Sequence, residues 1–196
     1  MSTPDRRTLI ADAAIATVAS LGLRGLTHRA VDAAAGLSAG STSYYFRTRE
    51  ALIGACYRRL AELDLAELDS GGSELGGVSD VDAVAEGLAA LLHHWLTGAR
   101  ERQLVRFELS LEAARRPELR AELEQAGSAA RARAVVLLRA LGAAHPESAA
   151  DLMVSWTDGL LYDRLAGATA RTRPAPDRAE LAGVVRKMLR AVLDEA

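Results

Sequence analysis

With 196 residues, 49% of them hydrophobic and 26% charged, the chain has an ordinary globular composition, which excludes a disordered protein. A single cysteine excludes an intrachain disulfide, and a net charge of −2 does not by itself point to nucleic acid. Only 4% of residues are aromatic and five are proline, while alanine is abundant, so helices are expected throughout. The charge is unevenly placed. Residues 1–50 hold six arginines against four acids (Asp5, Asp12, Asp32, Glu50), whereas 51–196 hold 18 basic against 22 acidic residues. Residues 2–8 are polar, and no run approaches the roughly 18 uninterrupted apolar residues of a membrane span. Neither a signal peptide nor a span is expected, and a cytoplasmic location is.

In chain order, Asp5 to about Gly22 predicts a first helix, with Ile10, Ala13, Ala14, Thr17, Val18 and Leu21 as its apolar stripe. Thr27 caps a second helix, in which Ala30, Val31, Ala34 and Ala35 recur at helical spacing. Gly36 stops it, and Leu37 plugs the turn. Ser38 is the expected N-cap of a short third helix, Ala39 to about Tyr45. Thr48 is the expected cap of a fourth helix that runs to about Leu68. Asp69–Ser79, with four glycines in eleven residues, predicts a mobile loop. Ser79 and Asp82 suggest the start of a fifth helix, to about Gly98. Helices follow over 101–116, 117–141 with Pro117 first, 147–170 and 177–194. About nine helices and no strand are expected.

The stretch Thr27–Arg49 carries the chemistry. Gly40, Ser41, Ser43 and Tyr44 share one face of the third helix, and Thr42, Tyr45 and Phe46 the other. The first face offers small, hydroxyl-bearing or aromatic groups that suit close entry into a major groove. Thr27, His28 and Arg29 open the second helix, where free N–H groups favour phosphate; a plain cap with a solvated face is the competing reading. Arg47 and Arg49 read the same way on the other flank.

Thr27, Val31, Ala35-Gly36-Leu37-Ser38, Gly40, Tyr44-Tyr45-Phe46, Arg49 and Leu52 together resemble the DNA-binding region of the TetR family of transcriptional regulators, over about the first 55 residues. Ser43 stands where the family most often has an aromatic residue, Thr42 where it has an aliphatic one and Arg49 where it has lysine. The resemblance implies DNA contacts at Thr27, His28, Arg29, Ser38, Ala39, Gly40, Ser41, Ser43, Tyr44, Arg47, Thr48 and Arg49. It also implies a DNA-binding domain at 1–48 and an effector-binding and dimerisation domain at 49–196. The later helices resemble that second half more loosely.

Effector contacts are expected at Trp95, Phe107, Glu108, Leu111, Trp156 and Leu160. Core packing for the tryptophans, and an ion pair of Glu108 with Arg106 or Arg131, are the alternatives. The resemblance places a dimer interface on the last two helices, at Gly159, Leu181, Val185, Met188 and Val192. His93 and His94 are adjacent, so they face apart, and no Cys/His cluster exists; no metal and no cofactor are expected. Cys56 reads as a buried small hydrophobe. No phosphate loop or nucleophile elbow is present, so no catalysis is expected.

The composition and spacing predict an all-α chain with a DNA-binding unit; the resemblance implies a homodimeric regulator, a repressor released from a palindromic duplex operator by a small-molecule effector. A DNA-binding factor without an effector, or a helical interaction module, remains the alternative.

Overall fold

The computed structural model describes residues 5–75 and 80–193, and every regular element among them is helical. In order these are α1 (Arg6–Gly25), α2 (His28–Ala34), α3 (Ser41–Tyr45), α4 (Arg49–Leu75), α5 (Val81–Leu96), α6 (Arg100–Arg115), a 3-10 turn (Pro117–Leu119), α7 (Arg120–Ala140), α8 (Pro146–Ala166) and α9 (Arg178–Leu193). The chain packs as two units. One comprises residues up to Leu63 together with Glu101–Ala126; the other comprises Asp64–Arg100 and the chain from Gly127 on.

The first unit is built on α1. Ile10, Ala14, Thr17 and Val18 are buried, as their spacing requires. Leu21, expected on the same stripe, is instead exposed. Gly22 is the cause: at φ 67° and ψ 173° it interrupts the helix, and the following turn sends Leu23 and Leu26 into the core in its place. Only glycine takes that conformation without strain. Val31, Phe46, Leu52, Ile53, Cys56 and Leu60 join this core, and α6 adds Val105, Leu109 and Ala113. Each large aliphatic side chain so buried contributes roughly 1.5–3 kcal/mol. By length and composition α1 could cross a membrane, but its apolar residues line this core.

In the second unit α5 packs along α9, and α8 packs against both. Leu181, Val185, Leu189 and Val192 of α9 are buried, as are Val84, Ala85, Ala89 and Leu92 of α5.

The expected loop at 69–79 is corrected in its first half, because α4 continues to Leu75. Two glycines at about 1 kcal/mol each do not end a helix whose backbone bonds continue. Ser70 Oγ donates to the Ala66 carbonyl at 2.7 Å, and Arg133 holds Asp69 at 2.8 and 3.1 Å. Ser79 lies outside the described residues. Asp80 caps α5 by accepting the Asp82 N–H at 3.0 Å. The helix expected over 147–170 ends at Ala166, where the Gly167 N–H bonds back to the Tyr162 and Asp163 carbonyls.

Candidate nucleic-acid interface

Thr27 caps α2, its hydroxyl accepting the Ala30 N–H at 3.1 Å. Ser38 does not cap α3. That helix begins at Ser41, with Gly40 as N-cap at φ 91°, and no side chain of the cap residue itself bonds to it. The cap comes from the preceding helix. Asp32 of α2 accepts the Gly40 N–H at 2.8 Å, the Thr42 N–H at 2.7 Å and the Thr42 hydroxyl at 2.6 Å. A carboxylate binds orphan N–H groups more strongly than a serine hydroxyl can. Ser38 contributes its carbonyl instead, which accepts the Ser41 N–H and hydroxyl at 3.1 and 2.7 Å.

Asp32 is only 4% exposed. Burial raises its pKa, but the bonds from Thr42 and Gly40, with His28 nearby, outweigh that, and the carboxyl lies below its ordinary value. Asp32 was missed by the sequence reading. Its one signal was Thr42, a hydroxyl at a position of the motif that is usually aliphatic.

The outward face of this turn unit is open. Ser38, Ala39, Gly40, Ser43, Tyr44, Arg47 and Thr48 are exposed, as are Thr27 and Arg29, and Ser41 is half-buried. Tyr44 is 79% exposed, and its ring meets Tyr45 edge-on at 5.1 Å. Thr42 and Phe46 are buried and Tyr45 is half-buried, so the two faces divide as their spacing predicts. Thr48 caps α4 by accepting the Ala51 N–H at 3.1 Å.

Two of the basic candidates have internal partners. His28 Nε2 lies 2.6 Å from the Phe46 carbonyl, so that nitrogen carries the proton and donates it. Arg49 donates to the carbonyls of Leu23, at 2.5 Å, and Leu26, at the end of α1. Both side chains therefore brace the α1–α3 assembly. Arg29 and Arg47 make no such bond among the described residues, which leaves them available to phosphate.

Residues 79–195 match the family described as tetracyclin repressor-like, C-terminal domain. The chain belongs to the TetR family of transcriptional regulators. A TetR-family structure from Streptomyces coelicolor A3 is similar at 31% identity over 94% of this chain and 98% of that one, with a TM-score of 0.74. The multidrug binding protein EbrR in complex with ethidium is similar at 30% identity, over 95% and 99% of the two chains, with a TM-score of 0.71. The same protein complexed with malachite green gives 29% identity, 97% and 99% coverage and a TM-score of 0.67. Among curated proteins, none matches.

The remaining candidates of this TetR-family chain divide between its units. Phe107, Glu108 and Leu111 lie in the first; Trp95, Trp156 and Leu160 lie in the second. Glu108 pairs with neither Arg106 nor Arg131. Its Oε1 accepts the Leu23 N–H at 2.7 Å, a donor left free by the break at Gly22. Arg106 instead bonds Gln103 at 2.8 Å and covers the Phe107 ring at 4.5 Å, and Arg131 bonds Asp151 at 2.9 Å. Leu111 is exposed. Trp95 is buried, and its indole N–H donates to Glu67 at 2.7 Å; His94 approaches the other oxygen of Glu67 at 3.3 Å. Trp156 is 38% exposed, and Leu160 is half-buried.

Of the candidate dimer residues, Gly159 is exposed and Met188 half-buried. Leu181, Val185 and Val192 are 1%, 1% and 4% exposed, already packed inside the second unit of the single chain. Cys56 is buried, which pushes its thiol up to about 12 and leaves it inert near neutrality.

Proposed function

We propose that the chain is a homodimeric repressor that binds a palindromic duplex operator and leaves it when a small molecule binds. Residues 1–48 read the DNA, and 49–196 bind the effector and the second copy. The observation that carries this is the capped α3, which presents Ser43 and Tyr44 outward between the exposed Arg29 and Arg47. Two such units, one per protomer, enter successive major grooves, with Ser41, Ser43 and Tyr44 toward bases or backbone and Thr27, Arg29, Arg47 and Thr48 toward phosphates. His28 and Arg49 hold the assembly in register. The dimer face is the exposed side of α8, where Trp156, Gly159 and Tyr162 line up, extended by Met188 of α9. The protein acts by binding rather than catalysis, and works in the cytoplasm.

The effector is an aromatic cation. The Glu67 carboxylate accepts the Trp95 indole N–H at the ring edge, which sets a negative group beside an aromatic candidate of the second unit. The similar EbrR chains were solved with ethidium and malachite green, which fits this class. The effector must bind the released state better than the DNA-bound one, or it shifts nothing.

Selection of duplexes from a random pool, followed by anisotropy titration, tests the DNA reading. Tyr44→Ala and Arg47→Ala should each weaken binding about tenfold, which is about 1.4 kcal/mol, at an unchanged melting temperature. Wild-type affinity in both variants overturns it. Quenching of tryptophan fluorescence by malachite green, with DNA absent, tests the effector. Loss of quenching affinity in Glu67→Gln is the expected result.

A further inference from the structure

Arg6 and Arg7 are neighbours at the start of α1 and have different surroundings. Arg7 is exposed but has partners: its guanidinium lies 5.7 Å from the Tyr45 ring centre and 5.5 Å from that of Phe46, and its Nη1 donates to the Tyr45 carbonyl at 3.5 Å. Arg6 is exposed and makes no hydrogen bond or ion pair among the described residues. It lines an open depression of about 380 Å³ together with Ser38, Ser41 and Tyr44, and Leu37 and Tyr45 form part of the wall.

We propose that this depression seats one backbone phosphate of duplex DNA, with Arg6 as its charged ligand and the Ser38 hydroxyl and Tyr44 phenol as neutral donors. The proposal rests on the DNA reading above and adds to it a contact from outside the helix-turn-helix. Four observations support it. The lining holds one cation and no carboxylate, so its charge suits an anion. A guanidinium offers a planar fork of donors that matches phosphate oxygens. The Ser41 hydroxyl already donates to the Ser38 carbonyl at 2.7 Å, which leaves Ser38 and Tyr44 as the hydroxyls free to turn toward a ligand. The depression also opens beside Tyr44, on the exposed face of α3, where a phosphate contact would fix the register of base reading.

The test uses the full chain and one labelled duplex of about 30 bp and arbitrary sequence, titrated by anisotropy between roughly 50 and 250 mM salt, where phosphate contacts dominate. Arg6→Gln should weaken binding about tenfold and make the log–log salt slope shallower by roughly 0.9 for each protomer bound. Arg6→Lys should keep the slope. The melting temperature should not move, because Arg6 touches nothing that folding needs. In a double-mutant cycle, Ser38→Ala and Arg6→Gln should together cost less than the product of their separate effects, since both serve one phosphate. A wild-type slope in Arg6→Gln, or independent effects in the cycle, overturns the phosphate seat while the DNA reading stands. Wild-type protein that shows no salt-dependent duplex binding overturns both.

Discussion

The helix that faces outward and the helix that closes the second unit are held by opposite means. α3 has five residues, and Thr42 is its one buried side chain. It is too short to recover the cost of its own nucleation, and burying an apolar stripe would remove the face it presents. Three hydrogen bonds to Asp32 fix it instead. α9 has sixteen residues and buries Leu181, Ala182, Val185, Leu189 and Val192. There the ordering force is apolar area, which is large but not directional. A carboxylate supplies little area but a definite direction, and direction is what a short helix with an open outer face needs.

Either device can be removed by a single substitution. Leu189→Ala, at a site with no exposed surface, should destabilise the chain by about 2–5 kcal/mol and lower its melting temperature, with the cavity left in the second unit. Below that melting transition, duplex affinity per folded chain should stay near wild type. Asp32→Ala leaves the Gly40 and Thr42 N–H groups and the Thr42 hydroxyl without their acceptor, at a cost of about 3 kcal/mol. Its signature should be the reverse: fast amide exchange in α3 and loss of duplex binding while the chain still melts cooperatively. Wild-type duplex affinity in Asp32→Ala would show that α3 does not depend on this cap.

The same carboxylate sets a pH dependence. Its pKa is lower in the folded chain than in the unfolded one. Its contribution is therefore present above the ordinary carboxylate range, near pH 4, and is lost as pH falls through the folded value. Asp32→Asn should flatten the acid limb of a denaturant-stability profile, and an unchanged limb would assign acid sensitivity to other groups.

What the sequence disclosed follows the same division. Apolar stripes are periodic, so Ile10, Val18, Leu181 and Val185 and the all-helical fold were legible from spacing. The turn motif was legible because Gly36, Gly40 and Phe46 sit at fixed offsets. Asp32 was not, because a charged residue on a short helix reads as solvated unless its partner ten positions away is known. The continuation of α4 beyond Leu68 was hidden by glycines that lower propensity without ending the helix. Burial of α9's stripe against its own chain was hidden too, since periodicity shows that a face is apolar but not which surface covers it. His28 and Arg49 read as phosphate ligands from a helix N-terminus and from their place on the flanks of the motif; their carbonyl partners are brought near by the fold.

Glu108 lies between the two cases and gives the smallest effect. It acts directionally, like Asp32, but on one backbone N–H and from a more exposed position. Glu108→Ala should cost about 1–2 kcal/mol by leaving the Leu23 N–H unpaired beside the break at Gly22. Glu108→Gln keeps an acceptor oxygen and should restore most of that loss, since the bond requires a lone pair more than a charge. A cationic effector held by Glu108 would respond differently, because removing the charge would weaken its binding in both variants. Malachite green titration of Glu108→Gln separates the roles. Unchanged affinity identifies Glu108 as the support of α1's last turn, and a tenfold loss would move it into the effector site.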